Sequence, residues 1–136
     1  MKAPALLLLL LAMTANKCAD KSPASMTGLL DRKWVFQSLD GRRLEVPDGV
    51  ETPWLKLSGE RLQGFGGCNA LMGDFALSGE KLSFANIGST KKYCEGVQPL
   101  EESVKSALSR TDGVRMGSGE ARLMGAGKEL ALLRSE

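Results

Sequence analysis

The sequence predicts a mainly β domain of the α+β class, in which an antiparallel sheet curls into an open, barrel-like form with one short helix packed on it. Three observations carry this reading. Short runs of alternating apolar and polar residues recur at near-regular spacing, Gly, Asp and Ser cluster between them, and a single segment switches to a helical period.

Lys33 to Leu39 is the first strand, and Asp40-Gly41 suits a two-residue hairpin turn, whose central positions need positive φ. Leu44 to Val46 is read as the returning strand, after which Pro47-Asp48-Gly49 turns the chain again. A second hairpin places Pro53 to Leu57 and Arg61 to Phe65 about Ser58-Gly59-Glu60. A third places Asp74 to Leu77 and Lys81 to Phe84 about Ser78-Gly79-Glu80. In Pro99 to Leu108 the apolar positions 100, 104, 107 and 108 share one helical face, Pro99 fits the first turn, and Glu101-Glu102 suit the helix dipole. Gly113 is the expected stop. Val114 to Met116 and Ala121 to Met124 then flank Ser118-Gly119, and Glu129 to Leu133 closes the chain. Gly125 to Lys128 has neither the spacing nor the following helix of a phosphate loop.

The N-terminal residues 1–17 read as an export signal: Lys2 precedes the apolar run Leu6 to Leu11, which falls short of the ~20 residues a spanning helix needs. Residues 18–28 read as a tether and 29–134 as the domain. Cys18 sits where the apolar run has just ended, so lipidation there would anchor the chain; Lys17 departs from the small residue expected before a lipidated cysteine. Cleavage after Ala15, leaving a free Cys18, is the open alternative. Without residues 1–17, which hold Lys2 and Lys17 and no carboxylate, the formal charge falls from +2 to zero. Bulk charge therefore gives no reason to expect a nucleic-acid partner, and Arg32-Lys33, Arg42-Arg43 and Lys91-Lys92 read as solvated strand ends.

Gly66-Gly67-Cys68-Asn69 and Thr90-Lys91-Lys92-Tyr93-Cys94 place two cysteines in this small domain. Behind an export segment such a pair is expected to form a disulfide. With Trp34, Gly73 and the order of hairpins and helix, these residues resemble the META domain, the HslJ-like family of small envelope and secreted proteins. The matching positions are Trp34, Gly67, Cys68, Asn69, Gly73, Thr90 and Cys94, over about Leu29 to Leu133; Lys92-Tyr93 departs from the Met-Ala often found there. The resemblance implies a compact barrel-like sheet with a short helix, a periplasm-facing or secreted location, and an association with envelope stress, antibiotic tolerance or secretion. It implies no molecular activity.

The chain has no histidine, which removes the usual general base, the commonest metal ligand and His-dependent triads. No catalytic residue, cofactor or metal site is expected. Glu101-Glu102 read as a solvated helix start, and Asp74 and Glu80 as carboxylates flanking hairpins. Asn69 is expected in a left-handed or turn conformation, its amide bonding the connection up to Gly73; the alternative is a small polar pocket formed with Thr90. Trp34 and Trp54 read as core. Tyr93 is the candidate exposed contact, with packing over the disulfide as its commoner use. The expectation is a non-enzymatic, monomeric envelope accessory protein that binds a protein or envelope component and touches the membrane through a lipid anchor at most. The alternative is a small-ligand binder using the barrel mouth.

Overall fold

The computed structural model describes residues 26–136; the export segment 1–17, Cys18 and the tether up to Ser25 lie outside the described residues. Nine strands and one α-helix follow a 3₁₀ turn at Met26–Gly28. They are β1 (Lys33–Leu39), β2 (Arg42–Arg43), β3 (Trp54–Ser58), β4 (Arg61–Phe65), β5 (Ala70–Ser78), β6 (Lys81–Ser89), α1 (Gln98–Arg110), β7 (Gly113–Gly117), β8 (Glu120–Gly125) and β9 (Lys128–Ser135).

All nine strands belong to one antiparallel sheet in the order β6-β5-β4-β3-β1-β9-β8-β7, with β2 a short branch on β1. The sheet curls until its two ends approach, where the Val114 N–H donates to the Glu80 carbonyl at 2.9 Å. The long strands turn most of their apolar positions inward. Trp34 and Phe36 of β1, Leu55 and Leu57 of β3, Leu62 of β4, Leu82 of β6, Leu123 of β8 and Leu133 of β9 are all buried in one core. α1 covers the open side with Val104, Ala107 and Leu108, so the interior is filled by side chains.

The sheet departs from expectation at three places. The returning strand after Asp40-Gly41 is Arg42–Arg43 rather than Leu44 to Val46, because the two-residue turn sets Arg42 opposite Leu39 and Arg43 opposite Ser38 at once. β5 begins at Ala70, four residues earlier than Asp74, and β6 runs to Ser89. Glycines at 73 and 88 hid this extension, since glycine carries no strand signal. Trp54 is the third correction: it stands on the outward face of β3, half-buried, its indole N–H donating to Glu51 at 3.0 Å and the Lys33 ammonium 5.3 Å from its ring. Trp34 is in the core, with its indole N–H on the Leu29 carbonyl at 2.9 Å.

Candidate functional site

Gly66-Gly67-Cys68-Asn69 forms the tip joining β4 to β5, closed by a 3.0 Å bond from the Gly66 N–H to the Asn69 carbonyl. The tip lies against the first turn of α1. Cys68 and Cys94 are joined by a disulfide, which ties the tip to the segment leading from β6 into the helix. Such a disulfide is compatible with an oxidising, extracytoplasmic compartment. Among the described residues no helix is long and apolar enough to cross a membrane.

Beneath the disulfide sits Glu101, only 1% exposed. Its Oε2 accepts the backbone N–H groups of Cys68 at 3.1 Å and Asn69 at 2.7 Å, and its Oε1 accepts the Asn69 side-chain amide at 2.8 Å. The Lys105 ammonium, one helical turn on, is 3.6 Å from Oε1. Burial alone would raise the pKa of this carboxyl. The hydrogen bonds from the Asn69 side chain and from the Asn69 and Cys68 backbones, with the Lys105 charge, outweigh it and hold the group below its ordinary value of 4.5.

Reading Glu101-Glu102 as a solvated pair is therefore wrong for Glu101. It takes the buried stripe with Val104 and Leu108, while Leu100 is only partly buried. The signal was available in two glycines. Added to Gly66, a Cβ would come within 2.7 Å of the Glu101 Cγ, and at Gly67, where φ is +118°, within 2.9 Å of a Val97 methyl. The two bare residues let the helix approach the tip closely enough for a carboxylate to reach two backbone donors.

Asn69 is 4% exposed and uses its whole amide. Nδ2 donates to Glu101 and, at 3.1 Å, to the Lys92 carbonyl; Oδ1 accepts the Lys92 N–H at 2.7 Å and the Thr90 hydroxyl at 3.0 Å. The Thr90 oxygen in turn accepts the Ala70 N–H at 3.2 Å. All four hydrogen-bonding positions of the amide are filled, leaving none directed at a ligand. The residue is not left-handed, and it bonds the Thr90–Lys92 segment rather than the stretch up to Gly73, which is already strand. Gly73 works elsewhere. A Cβ there would meet the Ala85 carbonyl at 3.0 Å, at the register shift where Asn86 adopts φ 53°. Asp74 follows within β5, its carboxylate accepting from Arg61 at 3.0 Å and Asn86 at 2.9 Å.

The sequence motif thus comes together as one unit: Cys68 and Asn69 bond Glu101, Thr90 joins through Asn69 and Cys94 through the disulfide, with Gly67 giving access and Gly73 outside the cluster. Tyr93 does not pack over the disulfide. It is 80% exposed and follows two exposed lysines, Lys91 and Lys92, on a segment whose Lys92 backbone is gripped at both N–H and C=O by Asn69 and whose next residue, Cys94, is covalently held.

Comparison with solved structures finds the same fold in a protein from Burkholderia xenovorans determined by NMR. It is 30% identical over 84% of this chain and 88% of that one, with a TM-score of 0.67. A second NMR structure, 18% identical over 78% of this chain and 91% of that one, shares the fold with a TM-score of 0.61. No match was found among curated proteins. The family model for the META domain matches residues 24–136, and the chain belongs to that family.

Proposed function

We propose that the protein is a non-enzymatic accessory of the cell envelope that binds another protein or an envelope component through the segment Lys91 to Tyr93. The observation that carries this reading is the contrast between the segment's backbone and its side chains. The backbone is fixed by Asn69 and the disulfide, whereas Tyr93 is 80% exposed and packs into no core. An aromatic on a fixed backbone, preceded by two cations, loses little conformational freedom on binding, which favours its use as an anchor. The buried carboxylate Glu101 is engaged by three donors and held ionised, an arrangement that suits bracing better than proton transfer. The disulfide fits export, and a tether from a lipidated Cys18 would hold the domain near the membrane where such a partner resides.

The experiment is capture by the tagged protein from crosslinked envelopes, with Tyr93→Ala beside the natural sequence. The variant should keep its melting temperature and lose most of the captured material. Equal capture by both, or robust turnover in a broad hydrolase panel, argues against the reading. Intact mass of the native protein separates a diacylglyceryl-modified Cys18 from an unmodified start at Asn16. The alternative of a ligand inside the barrel mouth would need an unfilled interior, and here Val104 and Leu108 of α1 occupy that space together with Leu57 and Leu82.

A further inference from the structure

The outward face of β3, β4 and β5 carries a groove that the clamp does not use. Register places Trp54 beside Phe65 and Phe65 beside Ala70; in the next row Lys56 neighbours Gln63 and Gln63 neighbours Met72. Two aromatic rings therefore stand on the face that a strand with a filled inner side ordinarily gives to water and polar side chains. Small Ala70 leaves a hollow of about 560 Å³, which Glu51 and Arg61 also border and where Met72 is 44% exposed. That volume lies in the range of small-molecule sites, ~300–1,000 Å³.

Its chemistry narrows the occupant. β4 is already paired on both sides, so the groove offers no strand edge to an added peptide. Its cations are already engaged: Arg61 pairs with Asp74 at 3.0 Å and the neighbouring Lys33 with Glu136 at 2.7 Å, while Glu51 accepts the Trp54 indole N–H. A charged ligand would have to break these pairs. Gln63 is exposed, and its amide has no hydrogen-bond partner among the described residues, so it offers a donor and an acceptor together. An aromatic floor beside planar amide, guanidinium and carboxylate groups fits a neutral pyranose, whose C–H face lies on a ring while its hydroxyls both donate and accept.

We propose that this groove binds a neutral oligosaccharide, with Trp54 as the platform and Gln63 reading the hydroxyls. The two tryptophans make a direct test, because their indole N–H groups have different partners, Leu29 for Trp34 in the core and Glu51 for Trp54 at the groove. Nitrogen-15 spectra of the purified protein are recorded during titration with the trisaccharide of N-acetylglucosamine and, separately, with maltotriose. A saturable shift of the Trp54 indole with either sugar, the Trp34 signal staying still, is the expected result. Gln63→Ala, a change at an exposed position, should weaken that binding about tenfold or more, and Trp54→Ala should abolish it. Tyr93→Ala should leave the titration unchanged, which separates this site from the loop. No saturable shift with either sugar, or a Trp54 response only to an acidic peptide, overturns the proposal.

Discussion

Glu101 and Asn69 are joined twice: Oε2 of the carboxylate accepts the Asn69 backbone N–H at 2.7 Å, and Oε1 accepts its side-chain amide at 2.8 Å. The second contact fixes which way the amide faces. With Nδ2 drawn toward Glu101 and the Lys92 carbonyl, Oδ1 must meet the Lys92 N–H and the Thr90 hydroxyl. One buried carboxylate thereby sets the polarity of the network that holds the Tyr93 segment.

Glu101→Gln keeps the shape of the side chain and removes that control. Whichever way the new amide turns, its NH₂ faces either Asn69 Nδ2 or the backbone N–H groups of Cys68 and Asn69, donor against donor. The expected loss is roughly 2–4 kcal/mol of unfolding free energy, from the missing charge-assisted bonds and the orphaned buried donors. Urea denaturation measures it, and a loss under about 0.5 kcal/mol, the range of an ordinary surface substitution, would falsify the bracing role.

The same carboxylate makes stability depend on pH. Its folded pKa is depressed below 4.5, so its contribution is fully present above the unfolded value and is lost as pH falls through the lower folded value. Stability of the natural sequence should therefore drop on acidification through this range, while that of Glu101→Gln should drop less. Paired urea curves near neutrality and in acid read the difference. A gap between the two proteins that widens in acid contradicts the sign.

The alternating strands and the Asp40-Gly41, Ser58-Gly59 and Ser78-Gly79 turns made most of the barrel legible, since period and turn chemistry are local properties. β1 and β4 have the bounds their residues predict. Glu101 was not legible by the same route. Beside Glu102 at a helix start it looks like dipole compensation, and only the distant tip, bare at Gly66 and Gly67 and donating from Asn69, turns it inward. Trp54 failed for a related reason: alternation shows that one face of β3 is apolar, but a tryptophan on the other face looks like core until the register is known.

Gly66→Ala tests the close approach directly. The added methyl would sit 2.7 Å from the Glu101 Cγ, an inner atom of a side chain pinned by three hydrogen bonds, so the helix must retreat or the bonds must stretch. Overpacking of this kind costs about 1–3 kcal/mol. If the methyl acts through Glu101, Gly66→Ala in a Glu101→Ala background should cost much less than alone, giving a coupling well above additivity. Equal losses in both backgrounds would show that Glu101 is not what the glycine accommodates.

The disulfide and the carboxylate brace the same tip by different means, and their loss should differ in kind. Cys68 and Cys94 close a loop with a sequence separation of 26, which restricts the unfolded chain by about 3–4 kcal/mol on the chain-entropy model. Either Cys→Ser change opens the whole bridge, so both single variants lose its contribution, and Cys68→Ser and the double variant should lower the melting temperature by similar amounts, Cys94→Ser by somewhat less. Cys68→Ser adds the cost of a hydroxyl at a position only 7% exposed. Because Glu101 and Asn69 still hold the folded tip, the Cys94→Ser protein should retain native amide protection at Cys68 and Asn69. Glu101→Gln with the bridge intact should lose that protection while the loop remains closed. Hydrogen exchange at these two amides separates the cases; loss of their protection in Cys94→Ser would mean that the tip depends on the covalent bond and that the hydrogen bonds merely follow it.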